Sequence, residues 1–478
     1  MDYLPEDGPP ASLEFRFVRF DLTALIRVAE EAAGLPEGNF NKSFLATMRD
    51  GQELVVKIPN LNTAPAHYTT ASEVATLQYE REILDLPVPR VLAYCTQGPA
   101  SKVGAEYIIT TQAPGIELGR VWDSLKPREK LSLAGRIASI TSVSTKLEDT
   151  FAIGPTTSQS WFYDRRGEVR TDRGPWNNSA QTMLALLATF PLDCQQGIFN
   201  GPAGYHPTKE AKRAVPNDFV KIYKYILPQD NTFNRGMLWH NDLHSDNIFV
   251  DKDYHNTITC IIDWQAVSVY AAFLIAHHPS IIDFDGPKPQ RFVEPTLPDN
   301  IHTLNHDDKR AAKKSYLAQT LWLYYETKVA KEAPSLSRAF QYRDTIVSEL
   351  LSLIGSVFDD GEPHVQKLLA QITSRDNWNA IVGKDEVEIP CPLQYTEEDL
   401  AAQNESYSRW ERDVERKARI FNEIGVYTGW NGAVSPADYQ EVVRRLEVAK
   451  GKFLVQESRS AEERAQWEEA WAMSFESQ

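Results

Sequence analysis

A short stretch near the middle of the chain constrains its fold more than any other. Trp239 closes one apolar run, a polar loop extends from His240 to Asn247, and a second apolar run, Ile248-Phe249-Val250, leads out. After a turn at Asp251-Lys252-Asp253, a third run ends in Cys260-Ile261-Ile262-Asp263-Trp264-Gln265. Short apolar runs broken by polar turns are the pattern of small paired strands. Folded that way, the loop presents Asp242 and Asn247, and the neighbouring strand end presents Asp263. Three hard oxygen-bearing side chains so gathered suit Mg²⁺, which keeps several waters for a phosphate to displace.

The flanking sequence predicts the frame around this segment. Two apolar runs, Ser43 to Met48 and Leu54 to Ile58, flank Arg49-Asp50-Gly51-Gln52. Asp-Gly in that position signals a hairpin, because its turn needs residues that tolerate positive φ. Leu22 to Ala33 and Ser72 to Leu84 follow helical spacing, and Ala105 to Thr111 reads as a strand. Beyond Gly115 the texture turns helical, with Leu133, Ile137, Ile140 and Leu147 on one face. Residues 151–180 read as an aromatic loop, and most of 308–372 and 397–475 as helix. Ser435-Pro436 marks a helix start, and Tyr407, Trp410, Val414 and Phe421 a buried stripe. The expected fold class is α+β. An N-terminal arm and helix occupies 1–34, a sheet-bearing N-lobe 35–112, a mainly helical C-lobe 113–380, and a helical extension packed on that lobe 381–478.

Charge and cysteine usage narrow the chemistry. The 50 basic residues against 66 acidic ones leave a net charge of −16. Such a chain is a poor nucleic-acid binder, and its field is expected to attract cationic small molecules or to demand a metal before ATP docks. The longest nearly apolar stretch, Ala266 to Ala276, is eleven residues, short of the about 20 that a helix needs to span a bilayer. No leader is visible from Met1 to Asp7, so a soluble, intracellular protein is expected. Cys95, Cys194, Cys260 and Cys391 lie far apart without C-x-x-C spacing, which predicts reduced thiols. A Walker A motif is absent from the sequence, which disfavours a P-loop nucleotidase.

The spacing H-x-D-x-x-x-x-N, followed by I-D-W about sixteen residues on, resembles the kinase catalytic loop and its metal-binding Asp. More closely it resembles the aminoglycoside phosphotransferase and choline kinase branch of the kinase-like superfamily. The segments Tyr68-Thr69-Thr70-Ala71-Ser72-Glu73-Val74-Ala75-Thr76, Gly104-Ala105-Glu106-Tyr107-Ile108-Ile109 and Ile281-Ile282-Asp283-Phe284-Asp285-Gly286-Pro287 are similar to fungal members related to altered inheritance of mitochondria protein nine. The resemblance implies a two-lobed, protein-kinase-like fold. It also implies transfer of the γ-phosphate of ATP, with Mg²⁺, to a hydroxyl of an unidentified small molecule. Under it, Asp242 accepts or orients the acceptor hydroxyl, and Asn247 and Asp263 ligate Mg²⁺. Lys57 contacts the nucleotide phosphates and pairs with Glu73. The loop with Gly38, Asn39, Phe40 and Asn41 covers the phosphates, and backbone from Thr111 to Ala113 holds adenine. His240 braces the catalytic loop, and His244 reaches substrate or the loop itself. A mitochondrial location is implied by resemblance alone. The nucleotide loop has one glycine, Asp263-Trp264-Gln265 lacks the glycine of DFG, and no A-P-E follows, all of which argue against a protein kinase. Gln265 stands where many relatives carry Glu or Asp.

The same residues admit other readings. Asp242 and Asn247 also serve as turn caps elsewhere, and a strand lysine such as Lys57 also sits at sheet edges facing water. Glu80 and Glu82, the rivals of Glu73, are expected on a solvated face. Lys42 is a candidate phosphate contact, and Asp283 with Asp285 a candidate trap for a cationic acceptor. Trp161-Phe162-Tyr163 reads as core packing or as a cage for a quaternary ammonium. Other functional readings are a non-catalytic nucleotide-binding scaffold and AMP transfer to a protein. A metal-dependent hydrolase, built on His240-x-Asp242-x-His244 with His277-His278, is the last.

Overall fold

The computed structural model describes residues 24–25, 32–34, 41–60, 65–145, 150–162, 166–176, 178–187, 201–228, 230, 234, 236–358, 361–382, 389–426 and 438–472. Expectations at Gly38, Asn39, Phe40, Leu147, Tyr163, Cys194 and Ser435-Pro436 lie outside the described residues. The chain forms two compact units that do not follow sequence order. One comprises Met1–Glu168, Asp172–Ser179 and Pro228–Asp344; the other comprises Val169–Thr171, Ala180–Leu227 and Thr345–Gln478.

Alternation builds the first sheet. It holds β1 (Ala32–Gly34), β2 (Asn41–Thr47), β3 (Glu53–Pro59), β4 (Val91–Cys95) and β5 (Tyr107–Thr111), in the antiparallel order β1-β2-β3-β5-β4. Leu54, Val56 and Ile58 join Leu25, Ala46, Val103, Ala105 and Ile109 in one apolar cluster. Period-two geometry therefore turns Val55, Lys57 and Pro59 to the opposite face. Gly51 closes the β2–β3 hairpin at φ 84, and Asp50 Oδ1 accepts from the Gln52 N–H at 3.0 Å. The Asp-Gly hairpin expectation is met.

Two expectations fail here. The helical reading of Leu22 to Ala33 does not reach its end, because Ala32–Gly34 is β1, paired with Phe44 to Ala46. Small apolar residues satisfy either period, and the open edge of β2 decides between them. The sequence reading does not include β4, a five-residue apolar run, Val91-Leu92-Ala93-Tyr94-Cys95, which lies at the sheet edge and alternates half-buried with exposed residues. Helix α1 (Tyr68–Glu82) begins four residues before the predicted start.

Five further strands follow: β6 (Ile116–Glu117), β7 (Gly236–Trp239), β8 (Ile248–Val250), β9 (Ile258–Ile261) and β10 (Ser268–Ala271). They form a three-stranded sheet, β6-β8-β9, and a two-stranded ribbon, β7 with β10. Gly115 joins this sheet to β5 through a position no other residue fills. Its φ is 105, and a Cβ there would lie 2.1 Å from the Val250 carbonyl oxygen. Helix α2 (Pro127–Thr141) packs on the long helix His306–Glu332, where Thr141 Oγ1 and Tyr325 Oη lie 2.9 Å apart. This unit thus has a small antiparallel sheet followed by helices and short strands, the kinase-like α+β plan read from the sequence. No described helix is long and apolar enough to cross a membrane.

The second unit is helical, with Lys209–Ile226, Glu362–Thr373, Glu397–Ile424, Tyr439–Glu457 and Ala461–Trp471 as its longer elements. Ile420, Phe421, Ile424, Phe453, Leu454, Trp467 and Trp471 form one buried cluster. Of the predicted stripe only Phe421 is fully buried; Tyr407, Trp410 and Val414 are half-buried. One of the two most deeply buried residues of Glu397–Ile424 is polar. Asp413, fully buried, accepts from the Tyr205 N–H and from Arg416 Nη1, each at 2.8 Å. Burying that charge is tolerated because both contacts compensate its lost hydration.

Candidate active site

Two segments of the first unit carry the candidate residues, and backbone geometry brings them together. The loop after β7 is braced by His240, which is 6% exposed. Its Nε2–H donates to the Ile262 carbonyl at 2.9 Å, while Nδ1 accepts from the Asp242 N–H at 3.2 Å. Both ring nitrogens are therefore committed to backbone, and the ring packs edge-on against Trp264 at 4.5 Å. Burial holds its pKa below the ordinary imidazole value, consistent with a neutral ring that donates on one side and accepts on the other. This geometry leaves His240 no lone pair for a metal, so the hydrolase reading loses its first ligand. His277 Nδ1 lies 2.9 Å from the Ile275 carbonyl oxygen, and His278 Nε2 2.6 Å from Glu326 Oε1.

Asn247 is the knot between loop and strand. Its side-chain Nδ2–H donates to the Asp242 carbonyl at 2.9 Å, and its own carbonyl accepts from the Ile262 N–H at 3.0 Å. One buried residue, through its side-chain N–H and its main-chain carbonyl, thus ties the backbone of Asp242 to the residue preceding Asp263. With nitrogen used this way, Oδ1 is the end available to a cation. Asp242 keeps a side chain 73% exposed, with Oδ2 at 3.6 Å from His244 Nε2. His244 Nδ1 accepts from the Asp246 N–H at 3.2 Å, a local loop contact.

Asp263 follows β9 by two residues and adopts φ 64. The left-handed region costs an L-residue about 1 kcal/mol or more, so the surroundings hold this carboxylate where it is. Its Oδ1 lies 3.3 Å from Lys57 Nζ, which also contacts Glu73 Oε1 at 2.8 Å. Lys57 stands on the central strand of its sheet, not at an edge, and its side chain is 16% exposed. Burial works against its charge, but the Glu73 and Asp263 carboxylates outweigh that and hold its pKa above the ordinary lysine value. Glu73 is displaced upward too, by a burial that Lys57 only partly offsets. The two shifts pull the shared proton in opposite senses; at 2.8 Å the ammonium–carboxylate form is the one the geometry holds.

The remaining expectations sort by sheet register. Asn41 lies opposite Pro59 and Ser43 opposite Lys57, so Asn41 shares the face of Lys57. Lys42, opposite Ile58, is one residue out of phase and lies on the other face. The Thr111 N–H is taken by the Arg90 carbonyl at 3.0 Å and the Gln112 N–H reaches Glu53 at 3.4 Å; Ala113 lies just beyond this ladder. Glu80 corrects its expectation. It is 1% exposed because it follows Glu73 by seven residues, two helical turns, on the same inward face; Glu82 is exposed. Asp283 is engaged by Lys288. Trp161 stacks on Trp176 at 4.8 Å, Trp176 stacks on Tyr270 at 5.7 Å, and Arg173 lies over Phe162, so these rings pack on one another. Cys95, Cys260 and Cys391 are free thiols, and burial pushes Cys260 up to about 12.

Sequence reasoning missed one contact at the site. Asn41 Nδ2 donates to Gln265 Oε1 across 224 positions of chain. The only signal for it was the position of Gln265 two residues after Asp263.

Residues 31–272 match the model of the phosphotransferase enzyme family. A subtelomeric hrmA-associated cluster protein of Aspergillus fumigatus is 25% identical over 472 residues, covering 86% of this chain and 91% of that protein. Altered inheritance of mitochondria protein 9 of Candida dubliniensis is 30% identical, covering 59% of this chain and 55% of that protein. Among solved structures, a putative aminoglycoside phosphotransferase from Ralstonia eutropha is 13% identical, with 83% and 99% of the two chains covered and a TM-score of 0.39.

Proposed function

The chain belongs to the phosphotransferase enzyme family, and from that premise we propose that it transfers the γ-phosphate of ATP, with Mg²⁺, to a hydroxyl of a small molecule. One observation carries the reading: Lys57 lies within 3.3 Å of both Glu73 and Asp263, while Asn247 binds the backbone of Asp242 and of Ile262, the residue before Asp263. A cation held by the central strand beside hard oxygen donors is the arrangement a triphosphate needs.

The donor set fits Mg²⁺. Asn247 Oδ1 and the Asp263 carboxylate are hard oxygens. Among the described residues no three His, Cys, Asp or Glu side chains gather as a metal-binding group, and Mg²⁺ commonly takes one or two protein carboxylates and completes its shell with phosphate and water. When bound, the ion would neutralise phosphate charge. Lys57 would turn part of its charge to the nucleotide while Glu73 keeps it in place. Asp242, exposed and fixed through its backbone, would orient the acceptor hydroxyl and receive its proton. Asn41 and the neighbouring Gly38, Asn39 and Phe40 would cover the phosphates, and backbone near Thr111 and Ala113 would hold the base. His240 and Asn247 would hold the loop, and His244 would limit the swing of Asp242. Catalysis of this kind rests on positioning and charge more than on base strength. Relatives named for the mitochondrion favour that compartment for this chain.

Asp242→Asn removes the proton acceptor while leaving every backbone bond of the loop. ATP consumption over a library of hydroxylated metabolites should find an acceptor for the wild type and fall by about 10²-fold or more in the variant, with Mg-ATP affinity retained. Equal turnover in the two proteins would refute the role.

A further inference from the structure

Lys57 and Asn41 are diagonal neighbours on one face of the β2–β3 pair, since Ser43 lies opposite Lys57 and Asn41 is two residues before Ser43. Their targets, Asp263 and Gln265, are also two residues apart. Two contacts thus run side by side from the sheet to the segment after β9: one charged, Lys57 to Asp263, and one neutral, Asn41 to Gln265. Asn41 is 9% exposed, and its Oδ1 has no hydrogen-bond partner among the described residues, so Gln265 is the partner that orients the carboxamide. We propose that Gln265 is a positioning residue for phosphoryl transfer, acting through Asn41 to hold the phosphate-covering end of β2 in register with the metal-binding segment.

The inference rests on the phosphotransfer reading, and physical chemistry gives the neutral contact its purpose. Nucleotide and metal draw on the charged pair: Lys57 turns toward phosphate, and Asp263 toward the cation. That exchange weakens the Lys57–Asp263 contact at the moment when alignment matters. A carboxamide pair carries no net charge, so it gains nothing from phosphate or metal and persists through the exchange. Because each amide has both a donor and an acceptor, the pair also survives a reversal of both groups. Asn41 can then offer phosphate either its oxygen, through water, or its N–H.

The test is titration of the full chain with a non-hydrolysable ATP analogue and Mg²⁺, paired with amide hydrogen exchange of the nucleotide-free protein. Gln265→Leu removes the acceptor and should weaken analogue binding about fivefold to tenfold, the size of one neutral hydrogen bond. It should also speed exchange at residues 41–43 without changing β4. The swap Asn41→Gln with Gln265→Asn moves one methylene across the contact and should recover most of the affinity, which a purely structural role of Gln265 does not predict. Wild-type affinity in Gln265→Leu, or a swap no better than it, would overturn the proposal. Should Gln265→Leu fail to fold, Gln265→Asn alone, compared with the swap, supplies the same contrast. If the wild type itself ignores the analogue, the phosphotransfer reading falls, and exchange at 41–43 still decides whether the contact holds β2.

Discussion

Removing the charge of Glu73 tests the arrangement of Lys57 most directly. The Glu73 side chain is 7% exposed and sits 2.8 Å from an ammonium that is itself 16% exposed. Breaking a buried ion pair by deleting one partner costs about 3–5 kcal/mol. Two features reduce that figure here. Glu73→Gln keeps an oxygen that accepts from Lys57, and Asp263 remains at 3.3 Å to share the charge. The expected loss is therefore about 2 kcal/mol, read as a fall of several degrees in the melting temperature of the nucleotide-free protein. Lys57→Met, which strands Glu73 without a counter-charge, should cost more, about 3 kcal/mol. The decisive quantity is the double variant. If the two residues act as one pair, Lys57→Met with Glu73→Gln costs less than the summed singles by about 1–2 kcal/mol. Additive losses would refute the pair and make Glu73 an independent packing residue.

Two further outcomes follow from positions in the same unit. Glu80 Oε2 has no hydrogen-bond partner among the described residues, and burial raises its pKa well above the ordinary carboxylate value of 4.5. A raised folded-state pKa means that the folded chain holds the proton that the unfolded chain releases, so stability declines as pH rises above about 4.5 toward the folded value. Glu80→Gln should flatten that part of the denaturation-versus-pH curve and stabilise the protein at pH 7; an unchanged curve would show that Glu80 does not titrate in the folded state. Gly115→Ala sets a Cβ against the Val250 carbonyl at a φ of 105, and should cost about 2 kcal/mol or more in chemical denaturation. A loss under 0.5 kcal/mol would contradict the close approach of β6 to β8.

The legible parts of this chain were those whose information is local. The β2–β3 hairpin needed only Asp50-Gly51 between two apolar runs. The loop holding Asp242 and Asn247, the turn after Val250 and the strand ending before Asp263 were spaced by backbone geometry alone. Helices such as His306–Glu332 and Glu397–Ile424 declared themselves through period and length. Their residue spacing sets which side chains share a face, whatever packs against them.

Contacts between distant segments had no such signature. β4 and β10 form because an edge strand and a partner strand await them. Residues 32–34 pair with β2 because an open ladder outweighs a weak helical period. Glu80 reads as solvated because nothing within its own helix reveals what packs above it. Asp413, a single acidic residue among charged neighbours, reads as solvated; only the fold sets Arg416 and the Tyr205 N–H around it. Local order sets which groups each segment can offer; only the closed structure decides which of them lose their water and must find one another, as Asn41 and Gln265 do across 224 positions.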